Sequence, residues 1–598
     1  MPTVHLMHPK VENVFPGTAS DFATFTSLLK QLSLTDTLIF CFRVNHILSE
    51  WKKLHADKQK EIVDLFFTPE ETQRIFSGSP RISSYDKLSI TTRGPMMLFI
   101  QWASMFCEEQ NGDGNTFKDP AVRQIFAKAI LIADDLWQKA IGMERMLENV
   151  STEEARYNLL STFRQNAAGS HQPTQHGSIS VAKGYAMFID PGYFPKRHSE
   201  FAEQFHTVSG MSIDDYYICL TYIASNVLDG KINGKSTAEK QQALDSVPAD
   251  FRDTFDKFLA LETQDAAAIR RALWGDLQQP SIRSFDDAPA FNERSFRARP
   301  FFITKDGRFI LIDPVLYFDK MMDGPLFTLL QAGSEKAEYF FQEFGYAFEA
   351  SMRDYLKSFY PSSPLCDRLS CPLLRAPKGG EREPSEITDG CLDYGEDMVL
   401  FEMKATFLRQ EKIIGNDNEE YVGMLRERYV MTSDGEAKGV TQLANVIIRI
   451  DSGEYEPVGR DFSIVKKIFP VLLVHDELID APMHPYFFAN EFVKALQPDE
   501  TLPNGFMKKG RFLVAPVTLM TAEDLENLEF LIRRKGFSLR DALEKYVSLY
   551  PDRKEGFHNA CLDAGYQLYA TQVLAEKGLE IMGKTHERLF PKKKDRTS

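Results

Sequence analysis

The chain has 598 residues, 43% of them hydrophobic and 26% charged, which is the balance of a soluble globular protein and too long for a single core, so two or three domains are expected. Its formal charge of −15 is evenly spread, with 30 Lys and Arg against 37 Asp and Glu in residues 1–294 and 40 against 48 in residues 295–598. This excludes the bulk basic charge of an unspecific nucleic-acid binder and leaves only a local patch for any such contact.

Seven cysteines without regular spacing argue against a disulfide scaffold and for a reducing compartment. Cys366 and Cys371 are the one close pair, and with no second pair they do not make a zinc site. The opening MPTVHLMHPKVENVFPG lacks the build of a signal peptide, and no apolar run is long enough to span a bilayer, so a cytoplasmic protein without membrane contact is expected.

From about residue 18 to 165, apolar residues recur at three- and four-residue intervals, in DTLIFCFRVNHILSEWKKL and again in KDPAVRQIFAKAILIADDLWQKAIGMERML. The spacing predicts a helix-rich domain whose aromatic stripes form its core. The loop NGDGNTFKD fails as a calcium loop, because its sixth position counted from Asn111 is Thr116. His171 and His176 fall in a polar loop. SISVAKGYAMFID reads as a short extended segment, and helical periodicity returns from Ser212 to about Leu277. Residues 1–294 thus read as one helix-rich N-terminal domain with no catalytic constellation.

A boundary near SIRSFDDAPAFNERSFRARP opens residues 295–480. Asp306-Gly307 between two apolar runs predicts a hairpin. GSEKAEYFFQEFGYAFEASMRDYLKSFY predicts an amphipathic helix carrying Glu349 on its polar side. After a loop with Arg375, Lys378 and Arg382, candidates for phosphate contact, comes SEITDGCLDYGEDMVLFEMKAT. Its later half is apolar and strand-like, yet holds Glu402 and Lys404 two residues apart, hence on one face. A hairpin through DYGED brings Asp389 opposite the Phe401–Glu402 step, within one residue of register. Two carboxylates and an ammonium then meet, an arrangement that asks for a divalent cation with oxygen ligands. Magnesium fits, manganese can substitute, and hydrolysis of a phosphodiester is the expected chemistry, with Lys404 on the attacking water or on transition-state charge. AKGVTQLANVIIRIDSG predicts a helix carrying Gln442, and KKIFPVLLVHDELI a strand buried on both faces. Residues 481–598 read as a helical C-terminal extension with a basic tail, its Thr521 and Asp524 placed as a capping-box variant.

Asp389, then Glu402-Met403-Lys404, resembles the core signature of the PD-(D/E)XK nuclease superfamily, with Thr388 where that pattern has proline. The order helix, strand, carboxylate hairpin, helix, strand between Glu335 and Ile479 is also that superfamily's. The resemblance implies an α+β protein: a helix-rich N-terminal domain, a restriction-endonuclease-like α/β core with a mixed sheet flanked by helices, and the helical extension. It further implies metal ligation by Asp389, Glu402, the Met403 carbonyl and Glu349, and a catalytic set completed by Lys404 and Gln442. The expected activity is a magnesium-dependent endonuclease acting on DNA, with antiviral defence or restriction as its setting by analogy. The N-terminal domain would recruit a partner, read the substrate or support a homo-oligomer. Two alternatives stay open: an RNA-directed nuclease, and a nuclease-fold binding or scaffold protein that does not cleave.

Overall fold

The computed structural model describes residues 7–50, 53–78, 81–109, 116–141, 177–197, 199–228, 237–277, 294–333, 337–359, 368–379, 381–408, 418–459, 461–535, 537–550, 555–568 and 571–591, with a few isolated positions between them. His171, His176, Cys366 and the last seven residues of the basic tail lie outside these.

Helices dominate the first half. Leu34–Ser49 (α1) is capped by the Ser33 hydroxyl, which accepts from Asp36 N–H. Arg93–Phe106 (α2) is buried from Arg93 through Met105, as a helix apolar all round must be, and packs on α1 and on Pro120–Ile141 (α3). Gly177–Phe188 (α4) comes next. Phe301–Ile303 (β1) and Arg308–Leu311 (β2) form the hairpin expected around Asp306-Gly307, where Gly307 takes φ +78°. Then come Pro314–Gln331 (α5) and Ala337–Phe359 (α6), the helix that carries Glu349.

The strands Leu369–Ser370 (β3), Leu373–Arg375 (β4), Ser385–Thr388 (β5), Gly390–Asp393 (β6) and Asp397–Lys404 (β7) lead into helices Asn418–Tyr429 (α7) and Gly439–Asp451 (α8) and the strand Lys467–Val474 (β8). His484–Leu496 (α9) precedes Glu500–Thr501 (β9), Met507–Lys509 (β10), Phe512–Val514 (β11) and Thr518–Thr521 (β12), and the chain closes with Ala522–Lys535 (α10) and Gln572–Leu589 (α11) among its later helices. The main sheet runs β9-β10-β11-β8-β7-β6-β3, with β12 on the same edge of β8 as β11. β8 is parallel to β7, β11 and β12, while the β3, β6 side and the β9, β10 side are antiparallel, so the sheet is mixed. β4 and β5 form a separate two-stranded ribbon.

The two central strands sort their side chains by parity. Val399, Phe401, Met403, Phe469, Val471 and Leu473 face one core with α4, α6 and α10, whereas Met398, Leu400, Ile468, Leu472 and Val474 face another with α8 and α9. The chain is therefore a mixed α+β protein, helix-rich, with its mixed sheet in the C-terminal half. The apolar cores cross residue 294: Phe302, Ile310, Ile312 and Leu316 pack with the N-terminal helices.

Two expectations are corrected. SISVAKGYAMFID is the helix α4, wedged between α5 and α11. A Cβ on Gly184 would lie 1.8 Å from the Met321 carbonyl oxygen, and one on Gly578 1.8 Å from that of Ser178. Its small residues serve close helix contact, and their chance alternation with Ile and Val imitated a strand. Residues 481–598 are not purely helical either, since β9–β12 lie there and extend the sheet. These strands are only two to four residues long, and β12 runs straight into the capped start of α10, so no two-residue alternation had room to show.

The helical half is tied to α5 by buried charge. Asp313, 0% exposed, accepts from Leu316 N–H at the start of α5 (3.0 Å), from Asn45 of α1 (2.8 Å) and from Arg93 of α2 (3.0 Å). Asp313→Ala removes the carboxylate that Arg93, Asn45 and Leu316 N–H share and is expected to cost about 3–5 kcal/mol. Equilibrium urea unfolding should show this as a lowered midpoint; a midpoint unchanged from the wild type would mean the pair does not hold these helices together.

Candidate active site

The hairpin of β6 and β7 sets the geometry. Gly390 pairs with Phe401, which places Asp389 opposite Glu402, within the register expected. Its turn closes through Tyr394 N–H to the Asp397 carbonyl, with Gly395 at φ +86°. The Thr388 hydroxyl donates to the Phe401 carbonyl, a bond that proline at this position would not make. One residue on, Asp389 Oδ2 accepts the Met403 N–H at 2.7 Å. The carboxylate thus continues the ladder where the strand β6 has not yet begun. In an extended strand the N–H and C=O of one residue point to the same side, so the Met403 carbonyl is also directed toward the Asp389 side. The Lys404 carbonyl points the other way and accepts from His475 N–H, at the end of β8.

Glu402 and Lys404 extend the face begun by Met398 and Leu400, and Asp389, opposite Glu402, shares it. Asp389 is 5% and Glu402 4% exposed, burial that carboxylates tolerate only with partners. Lys404 Nζ lies 2.7 Å from Glu402 Oε1. From α6, Arg353 Nη2 lies 2.9 Å from Asp389 Oδ1, 2.9 Å from Glu386 Oε1 and 3.8 Å from Glu349 Oε2. Four carboxylates share two cations. The mismatch shows in the titration: burial, with repulsion from Asp389 next, pushes Glu349 up to about 8. Burial likewise pushes Glu402 up to about 7, Lys404 pulling it down less than burial and the other carboxylates raise it. Glu386 is raised as well, by burial first and then by Asp389, against the pull of Arg353. Lys404 is held above its ordinary range, because Glu402 and Asp389 outweigh its burial.

The structure therefore gathers Glu349, Asp389, Glu402 and Lys404. The Gln442 Oε1 accepts from Gly439 N–H at 2.8 Å and caps the first turn of its own helix, α8. Lys438 pairs with Glu436 at 2.8 Å. In the preceding loop Arg375 grips Glu381 with two nitrogens, at 2.7 and 2.8 Å, and is engaged within its own ribbon. Arg353 and Glu386 are part of the cluster and were not singled out from the sequence. The available signals were the four-residue spacing from Glu349 to Arg353, one helical turn, and an acid three residues before Asp389.

Among the described residues, no group of three or more His, Cys, Asp or Glu is arranged to hold a metal ion. Arg353 and Lys404 fill the space between the carboxylates instead. The donor set nonetheless suits a hard divalent cation: all the candidate ligands are oxygens, and four carboxyls stand against two cations. No family model, curated protein or solved structure matches this chain.

The raised carboxyls set a sign for stability against pH. The folded state binds more protons than the unfolded chain between the ordinary carboxylate range and about 8, so stability falls as pH rises through that window. The melting temperature in EDTA is expected to drop between pH 5 and pH 9, and the double variant Glu349→Gln, Glu402→Gln to flatten that slope. Superimposable pH profiles for variant and wild type would show that these carboxyls are not paired off against each other.

Proposed function

We propose that the protein is a metal-dependent nuclease with a restriction-endonuclease-like core, hydrolysing phosphodiester bonds in DNA. The observation that carries this reading is the meeting of Glu349, Asp389, Glu402 and Lys404 at the carboxyl end of β7, in a sheet where β8 and β12 run parallel beside it. Ligands in such sheets bind beyond the carboxyl ends of the strands.

Asp389, Glu402 and the Met403 carbonyl would hold the ion, magnesium in the first instance, with manganese as a substitute. A bound divalent ion supplies Lewis acidity at a phosphate oxygen and lowers the pKa of its water. Lys404 keeps its proton, so its part is that of a fixed positive charge facing the oxygens of the transition state, not that of a base. Glu349, whose nearest cation is 3.8 Å away, would complete the oxygen ligands of the ion, or accept a proton from the water once positive charge lowers its raised proton affinity. Glu402, shielded by Lys404, loses its own proton when positive charge enters the site. The acidic chain offers DNA little attraction of its own, so binding depends on the ion and on the loop and helix that flank it. The helix-rich N-terminal half would then select the substrate or a protein partner, and a setting in antiviral defence or restriction rests on analogy of fold and site alone.

The test is an incubation with supercoiled DNA, linear DNA and RNA, each with magnesium, with manganese and with EDTA. Cleavage of DNA that needs the ion is expected. Lys404→Ala should lower it about 100- to 1,000-fold, the cost of one charge-stabilising donor, in an assay run well below the variant's melting temperature, which shifts because Glu402 loses its partner. Cleavage by the variant at the wild-type rate would remove the chemistry from this site, cleavage of RNA alone would reassign the substrate, and tight binding without cutting would make the chain a scaffold.

A further inference from the structure

Arg353 makes contacts that the nuclease reading leaves unused, and the role assigned to it here rests on that reading. Its Nη2 alone stands 2.9 Å from Asp389 Oδ1, 2.9 Å from Glu386 Oε1 and 3.8 Å from Glu349 Oε2. Those carboxylates come from α6, from β5 and from the residue joining β5 to β6. An arginine that recognises one carboxylate presents two parallel N–H groups to it, as Arg375 does to Glu381. Arg353 does not use its fork in this way. One nitrogen lies among three acids, while its Nε is buried with no hydrogen-bond partner. Several carboxylate oxygens converging on one point is the environment that a small divalent cation selects.

We infer that Arg353 is the fixed second cation of the site: it occupies, on a covalent tether, the place where a two-ion nuclease would bind its second metal, so that this protein takes up one divalent ion and not two. Two-ion sites clamp both the attacking and the leaving oxygen of an in-line displacement. Here Asp389 and Glu402 would hold the one ion, and the guanidinium would supply fixed positive charge beside it while keeping Asp389 in place. Arg353 is thus a positioning residue for Asp389, whose Oδ1 it holds while Met403 N–H holds Oδ2. Glu386 and Glu349 steady the guanidinium.

The experiment counts manganese bound to the full-length chain by equilibrium dialysis, with the free ion read by electron paramagnetic resonance. The wild type is expected to bind one ion and Arg353→Met two, because the substitution vacates the point where the carboxylates meet. Adding Glu386→Gln to Arg353→Met should restore a count of one. Glu386→Gln alone, which keeps the arginine, should still bind one ion, weakened by no more than about 100-fold as for a group behind the ligands. Two ions on the wild type, one on Arg353→Met, or none on Glu386→Gln would each overturn the inference. If Arg353→Met does not fold, Arg353→Gln, which keeps a polar side chain there without the charge, is counted in its place and should bind two ions. No ion on any of the four proteins is a different failure, that of the metal site itself, and takes this inference with it.

Discussion

A strand buried on both faces ends in an acid and a base, and this is the constraint to which the rest of the C-terminal half answers. β7 is apolar and inaccessible from Met398 to Phe401, held between β6 and β8, and then places Glu402 and Lys404 where the sheet's interior would call for Val or Leu. Charges so placed are tolerated only with partners. Lys404 is one, Asp389 is fixed opposite by the hairpin register, and α6 leans over the strand end to add Glu349 and Arg353. The result is balanced in geometry and unbalanced in charge. Such an imbalance weakens the fold, and proteins retain it where function uses it.

Much of this was legible in the sequence, for reasons that can be named. Glu402 and Lys404 declared themselves because polar residues inside an apolar run break the pattern, and the two-residue period put them on one face. Asp389 came from turn chemistry, since DYGED fixes a hairpin and a hairpin fixes register. Glu349 depended on helix placement, which the strong periodicity of α6 made secure. Arg353 was hidden in plain view, as an ordinary polar residue on an amphipathic helix, because its significance lies in what two other elements bring to it. Gln442 has a local use as well, closing the first turn of its own helix through Gly439 N–H. The strands after residue 500 escaped notice because they are too short to carry a period, and α4 because Gly, Ser and Ala report close packing and not a secondary structure.

The candidate site is one end of a longer polar seam along the carboxyl ends of the parallel strands. Beside Lys404, His475 succeeds β8, donates its N–H to the Lys404 carbonyl and sets its ring among Phe344, Phe348 and Phe407, with Nε2 3.1 Å from Asp323 Oδ1 on α5. Burial lowers the proton affinity of that imidazole, and Asp323 more than restores it. Further along, beyond β8 and β12, Lys183 of α4 lies 3.1 Å from Glu526 and 3.8 Å from Glu477. The same helices that bury the sheet therefore reach this edge through paired charges, and Phe344 and Phe348, against the His475 ring, lie on the helix that bears Glu349 and Arg353.

Under the nuclease reading, this arrangement also reconciles an acidic protein with an anionic substrate. A site built on basic residues would attract nucleic acid wherever it met it, with an affinity set by salt. Here both cations of the cluster, Arg353 and Lys404, are already committed to carboxylates, and the net charge at the strand end is negative until positive charge enters. Under the nuclease reading, substrate phosphate and divalent ion are then each a condition for the other. Asp389 and Glu402 would hold the ion, Lys404 would then be free to turn its charge outward, and phosphate oxygens are of the kind a hard cation prefers. Selectivity would come from this mutual requirement, not from a standing field. The cost is a pair of carboxyls, at 349 and 402, whose proton affinity burial raises above the ordinary carboxylate range.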